Sequence, residues 1–133
     1  MTRLIVVVAA AAAALGGAPA GAPPPPPRIQ GRVIEVRTVE AGPYGMAFDP
    51  VRITVSRGDT VRWVQGGRMP HNVAFRVVPP GTTLGDAERS PYLERPGATY
   101  ELVIDERFAP GKHVYVCTPH EVMGMAGVLY VSE

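Results

Sequence analysis

The nine residues from Cys117 to Met125 (CTPHEVMGM) constrain this chain more than any other stretch. They contain the one cysteine of the 133-residue chain, one of its three histidines and two of its five methionines. A thiolate, an imidazole and thioethers form a soft ligand set that suits a copper ion cycling between Cu(I) and Cu(II). A further nitrogen ligand has to come from elsewhere, and His71 is the best candidate. The fold must therefore bring two distant segments together.

The single cysteine excludes an internal disulfide, a CxxC redox pair and a four-cysteine zinc site. Its thiol is a buried inert group, a nucleophile or a metal ligand. A nucleophilic Cys117 would make the chain an enzyme, with His71 or His120 as the base. No third, orienting carboxylate stands out and the methionines would have no role, so we expect no enzymatic activity. His113 belongs to no such motif and is expected to be an ordinary strand histidine.

The N-terminal residues have the pattern of an exported protein. Arg3, an apolar run over residues 4–15 and a small-x-small site at residues 18–20 predict a signal peptide over residues 1–20. The alternative is an uncleaved membrane anchor, although the run is too short to span a bilayer comfortably. Residues 21–30 include five consecutive prolines and are interpreted as a Pro-rich linker, either a disordered leader or a stalk. We expect a periplasmic or extracytoplasmic protein that meets a membrane only if residues 1–20 are retained.

The charge balance argues against a polyanionic partner. Cleavage after residue 20 removes Arg3 and no acidic residue, which leaves 12 basic and 12 acidic side chains. A nucleic-acid-binding domain normally carries a basic excess on one face. We therefore expect no nucleic acid partner, and no strong steering by the net charge of the whole protein.

Short alternating segments separated by turn residues predict an all-β fold, in a chain with 15 glycines and 15 prolines. The segments around residues 42–45 and 48–50 are predicted as turns, and residues 86–89 as a short helical turn. About seven or eight strands at this spacing indicate a β-sandwich or Greek-key barrel. Loops at one end of such a fold can bring a distant histidine to a local Cys/His pair. The predicted strands cover residues 32–39, 51–55, 60–65, 72–78, 99–105, 113–117 and 128–131.

With these motifs the chain resembles the cupredoxins, specifically the plastocyanin, pseudoazurin and amicyanin group. Residues 117–125 resemble their C-terminal copper loop, C-x-P-H-x4-M. Residues 68–75 (RMPHNVAF) resemble the P-H-N-V-x-F segment that supplies the first histidine ligand. The resemblance extends over residues 31–133 and rests on the two motifs together, since either alone would be weak.

The resemblance implies a cupredoxin-like Greek-key β-sandwich or barrel in residues 31–133, with one type 1 (blue) copper ion. It implies His71, Cys117 and His120 as equatorial ligands and Met125 as the axial ligand. Met123 has the shorter amicyanin spacing and is the alternative axial ligand. Asn72 resembles the family residue that ties the two ligand loops together by hydrogen bonds.

The same resemblance implies an exported protein that shuttles single electrons. Its partners would be redox proteins that bind transiently, such as a cytochrome or a copper enzyme or oxidase. A copper-handling or storage protein of the periplasm is the alternative function. Such proteins usually use flexible surfaces rich in methionine and histidine, whereas these spacings indicate a rigid site.

Overall fold

The computed structural model describes residues 31–41 and 45–133, which form two four-stranded sheets. The strands are β1 (Val33–Ala41), β2 (Gly45–Asp49), β3 (Arg52–Val55), β4 (Thr60–Gln65), β5 (Ala74–Val77), β6 (Thr99–Val103), β7 (Gly111–Val116) and β8 (Ala126–Val131). In the first sheet the strand order is β2-β1-β4-β6, and in the second it is β3-β8-β7-β5. The predicted all-β architecture of seven to eight strands is confirmed.

The sequence predicts no strand between residues 39 and 51, and it predicts turns around residues 42–45 and 48–50. The structure instead has strand β2 there. Gly45–Asp49 pairs antiparallel with β1, and its buried and exposed side chains alternate. Met46 and Phe48 point inward and are nearly inaccessible to solvent. The turn residues on both sides had hidden this two-residue period, because the strand is only five residues long.

Aromatic side chains from both sheets meet in the core. Tyr115 of the second sheet lies with its ring centroid 4.9 Å from Phe48 and 5.4 Å from Trp63, both in the first sheet. Both pairs are edge-to-face, an arrangement in which the positive ring edge meets the negative ring face. Phe75 packs on Tyr115 from the neighbouring strand, 5.8 Å away. These contacts hold the two sheets together as a sandwich.

Strand direction decides which loops share an end of the sandwich. β1 runs parallel to β4, with Thr38 opposite Gln65, so the ends of both strands lie side by side. The segment after β4 leads into β5, which pairs antiparallel with β7. The segment between β7 and β8 therefore lies at the same end as the segment between β4 and β5. Residues 66–73 and 117–125 are thereby brought together.

Two short 3-10 helices, Gly85–Glu88 and Thr118–Met123, interrupt the loops. The first confirms the predicted helical turn near residues 86–89 to within one residue. Over residues 31–41 and 45–133, no helix has the length and apolar character needed to cross a membrane. The predicted signal peptide (1–20) and Pro-rich linker (21–30) lie outside the described residues.

Candidate metal centre

His71 is held in place by elements that are distant in sequence. Its backbone N–H donates to the carbonyl of Leu93 (3.2 Å) and its carbonyl accepts from the Leu93 N–H (2.7 Å), which forms an isolated bridge. The buried amide of Gln65 donates to the carbonyl of Leu93 (3.1 Å) and to that of Met69. Gln65 thus bonds the end of β4 both to the backbone just before His71 and to the backbone of Leu93, which pairs with His71. The His71 ring itself is completely buried.

The segment 117–125 is closed by its own backbone. The N–H of His120 donates to the carbonyl of Cys117, and the Cys117 N–H donates to the carbonyl of Met125, both at 3.1 Å. The N–H of Met125 returns to the His120 carbonyl at 3.2 Å. Gly124 ends the 3-10 helix with φ of 83°, a left-handed conformation that a residue without a Cβ adopts at little cost. A tight loop thus presents Cys117 and His120 on the same side.

Asn72 joins the two segments directly. Its side-chain oxygen accepts the backbone N–H of Thr118 at 2.8 Å and the Thr118 hydroxyl at 2.8 Å. The residue after His71 is therefore bonded to the residue after Cys117. This is the tie between loops that the family resemblance implied for Asn72.

The three side chains converge on one point. The Sγ of Cys117 lies 3.5 Å from Nδ1 of His71 and 3.3 Å from Nδ1 of His120, and the two Nδ1 atoms are 3.1 Å apart. The centre of a triangle with these sides lies roughly 1.9 Å from each corner, close to the 2.0–2.3 Å of metal–nitrogen and metal–sulfur bonds. All three residues are buried. The arrangement fits one small metal ion with a thiolate and two imidazole ligands.

Burial disfavours a charge on His71 and on Cys117 when no metal neutralises it. Desolvation lowers the pKa of His71 below its ordinary value, and a charge on the neighbouring His120 would lower it further. Desolvation also raises the pKa of the Cys117 thiol, although the backbone N–H groups of Asn72 and His120 partly oppose this. A bound cation would reverse the balance, because a coordinating thiol loses its proton outright. The centre is therefore suited to a metal and poorly suited to a free thiolate.

The other residues considered from the sequence, Met125, Met123 and His113, differ in burial and in their surroundings. Met125 is completely buried and forms part of the closed backbone loop, whereas the side chain of Met123 is 39% exposed. His113 is buried elsewhere, with its ring nitrogens 3.3 Å from the Thr82 hydroxyl and 3.2 Å from the Gly111 carbonyl. These neighbours account for both nitrogens, as expected of a structural histidine.

Two polar residues near His71 have no functional signal in the sequence. Gln65 is only the last residue of a predicted strand, yet it is 1% exposed and hydrogen-bonds to three segments. Glu40 lies just beyond the predicted first strand, and its carboxylate reaches to 3.5 Å from Nε2 of His71. The strand register that brings both to the histidine has no signal in local periodicity.

Comparison with known proteins gives a consistent result. Residues 35–132 match the family described as copper-binding proteins of the plastocyanin/azurin family. Plastocyanin of Synechococcus sp. (strain JA-2-3B'a(2-13)) is 37% identical over 92 residues, which cover 65% of each chain. Chloroplastic plastocyanin of Tetradesmus obliquus is 33% identical over 89 residues, covering 65% of this chain and 59% of the relative. The chain thus spans less than two thirds of the length of both relatives.

The fold has solved counterparts as well. The oxidised plastocyanin of Dryopteris crassirhizoma superimposes with a TM-score of 0.60 at 28% identity. The match covers 74% of this chain and 99% of that protein. The two-sheet sandwich therefore follows an arrangement already known from an experimental structure.

Proposed function

Because the chain belongs to the copper-binding plastocyanin/azurin family, we propose that it is an exported carrier of single electrons with one type 1 copper ion. The observation that carries the proposal is the buried triangle of Cys117 Sγ and the Nδ1 atoms of His71 and His120, whose sides are 3.1–3.5 Å. This donor set, with one thiolate and two imidazoles, is characteristic of blue-copper electron-transfer sites. The family resemblance predicted from the sequence is confirmed.

Copper would be held by His71, Cys117 and His120, with Met125 as the fourth ligand. Met125 is preferred to Met123 because its side chain is completely buried, whereas Met123 is 39% exposed. When bound, the copper ion supplies the one-electron couple between Cu(I) and Cu(II). The charge of one thiolate leaves a small net charge on the centre in either state, which is less costly to bury than a bare ion.

Electron transfer is fast when the ligands move little between the two oxidation states. The protein holds its proposed ligand residues by backbone hydrogen bonds, and not by flexible side chains alone. His71 is bridged to Leu93, Cys117 is bonded to the backbone of His120 and Met125, and Asn72 joins the two loops. A ligand set fixed in this way resists rearrangement when the charge of the centre changes.

We propose that electrons pass through the edge of His120, which is 4% exposed. Apolar side chains are exposed in its own helix and next to His71: Val122 is 95%, Met69 44% and Met123 39% exposed. A small surface with exposed apolar side chains suits transient contact with a redox protein, such as a cytochrome or a copper enzyme. The expected absence of enzymatic activity and of a nucleic acid partner belongs to the same proposal.

The proposed domain arrangement is a signal peptide over residues 1–20, a Pro-rich linker over 21–30 and a copper domain over 31–133. The family match begins at residue 35, which supports the last of these bounds. Mass spectrometry of the protein recovered from the periplasm tests the arrangement. A mature chain that begins at Gly21 is expected, and an intact chain in the membrane fraction would favour the anchor.

The function is tested by visible and EPR spectra of the Cu(II)-loaded protein. An intense thiolate-to-copper band and a narrow copper hyperfine splitting are expected, and Cys117→Ser should abolish the band. A protein that holds only Cu(I) and stays colourless would support copper storage instead, and an activity that survives copper removal would support an enzyme.

The proposed contact surface is tested separately: Met69→Lys should slow electron exchange with a partner while leaving the spectrum unchanged. Unchanged exchange would contradict the proposed contact surface.

A further inference from the structure

The nitrogen of His71 that points away from the cluster has a carboxylate as its nearest charged neighbour. Nδ1 faces the sulfur of Cys117, and Nε2 lies on the opposite edge of the ring. Nε2 is buried and has no hydrogen bond within residues 31–41 and 45–133. Oε1 of Glu40 lies 3.5 Å from it, slightly beyond an ordinary hydrogen bond. A small movement of either side chain closes this gap.

Glu40 reaches this position because of the strand pairing. β1 is parallel to β4, with Thr38 opposite Gln65, so Glu40 continues past the end of β4 beside the segment that leads to His71. Gly67 makes room for it, since a Cβ at that position would collide with the Glu40 carboxylate. The approach of this side chain is therefore built into the backbone of both segments.

The carboxylate is also fixed in place by the backbone. Oε1 of Glu40 accepts the backbone N–H groups of Arg68 and Met69, both at 2.8 Å. Oε1, the oxygen that these two N–H groups hold, is also the one nearest to Nε2 of His71, so the backbone that leads to His71 fixes the acceptor beside the ring.

We propose that Glu40 is a positioning residue for His71: it accepts the Nε2 proton, leaves Nδ1 as the ligand nitrogen, and favours Cu(II) over Cu(I) by its negative charge. This rests on the proposed copper function and extends it to the choice of oxidation state. Outer carboxylates that bind the second nitrogen of a ligand histidine fix its orientation and increase its basicity. The more positive oxidation state gains more from a nearby negative charge.

Glu40→Gln tests the charge, because the amide keeps the size of the side chain and an oxygen for the two backbone N–H groups. Cu(II) affinity should fall about tenfold, with a smaller change for Cu(I). The equilibrium with a reference redox couple should then shift toward the reduced protein by up to about tenfold, which corresponds to 59 mV for one electron. The thiolate absorption band should remain, since the ligands stay in place.

Glu35→Gln is the matched control on the same strand. Glu35 is exposed and pairs with Arg37, and five residues of strand place it roughly 16 Å from Glu40. The charge change is identical, but solvent and salt screen it, so the redox equilibrium should move by less than about twofold. Equal shifts in the two variants, or no shift in Glu40→Gln, would overturn the proposal.

A copper-free measurement separates this proposal from the proposed function. Nitrogen-15 chemical shifts of the imidazoles at pH 7.5 should show His71 protonated on Nε2, and Glu40→Ala should shift the tautomer mixture toward Nδ1. An unchanged tautomer would remove the role of Glu40 even if the protein binds copper normally. A wild-type protein that forms no blue copper site would refute the proposed function, while this tautomer result would still stand.

Discussion

The two segments that form the metal centre are held in different ways. The segment 117–125 closes on itself: three backbone hydrogen bonds of 3.1–3.2 Å join Cys117, His120 and Met125. The segment 66–72 makes its supporting bonds to other elements, through Leu93, Gln65 and Glu40. One ligand segment is therefore a local structure, and the other depends on the tertiary fold.

This difference teaches where each half of the centre can fail. A local loop keeps its shape as long as its own turn residues are present. A segment held by distant side chains loses its geometry when any of those side chains is removed, even if its own sequence is intact. Substitutions of residues that are distant in sequence from the proposed ligands should therefore disturb the position of His71 more than that of Cys117 or His120.

Gln65→Leu is expected to have the largest effect, since it removes the buried amide that supports the His71 segment. The carbonyl of Met69 loses its hydrogen bond from Gln65. The carbonyl of Leu93 keeps only the N–H of His71, and the hydroxyl of Thr38 keeps only the N–H of Gly66. A buried group left unpaired costs about 1–3 kcal/mol and each further hydrogen bond lost costs about 1 kcal/mol, so a loss of roughly 3 kcal/mol in the free energy of unfolding is expected. Urea unfolding measures this loss, and the Cu(II) EPR spectrum should change because His71 moves.

Thr38→Val is the companion variant. It removes the hydroxyl that donates to Gln65 and accepts the Gly66 N–H, but keeps the two hydrogen bonds from Gln65 to the carbonyls of Met69 and Leu93. It should cost about 1 kcal/mol and leave the EPR spectrum unaltered. If both variants gave the same spectrum as the wild type, the His71 segment would not depend on Gln65, and the contrast between the two segments would be wrong.

The same contrast explains what could be predicted from the sequence. Cys117, His120 and Met125 lie within nine residues, and the alternating strands indicated the sandwich. Gln65 and Glu40 could not be assigned, because their roles depend on the parallel register of β1 and β4, which places Thr38 opposite Gln65. Register is set by the packing of whole faces, and single polar residues at strand ends leave no periodic signal.

Acid should weaken the copper-free protein through its buried histidines. Desolvation lowers the pKa of His71 in the folded state, and the same cause lowers the pKa of His113. As the pH falls through about 6.5, the unfolded chain binds more protons than the folded protein, so the free energy of unfolding decreases. Urea midpoints should therefore be lower at pH 5.5 than at pH 7.5, by less than the effect of Gln65→Leu.

Two variants assign this pH dependence. His71→Gln and His113→Gln should each reduce the difference between the two midpoints, because each removes one group whose pKa is lower in the folded protein than in the unfolded chain. Asp59 and Asp105 have lowered pKa values as well, but their contribution is lost below this pH range. A difference that persists unchanged in both variants would show that burial of His71 does not couple its segment to pH.

The smallest effect is expected where the closed loop meets a neighbouring strand. Arg76 of β5 forms an ion pair with Glu121 in the 3-10 helix at 3.1 Å, with both side chains more than one third exposed. Exposed pairs contribute little to stability. Because the loop is closed by its own backbone, Arg76→Gln should leave the visible and EPR spectra of the Cu(II) protein unchanged.

Arg62→Gln, which breaks the exposed pair with Glu101 on the other sheet, is the control. A spectral change in Arg76→Gln alone would mean that the loop, like the His71 segment, needs support from outside.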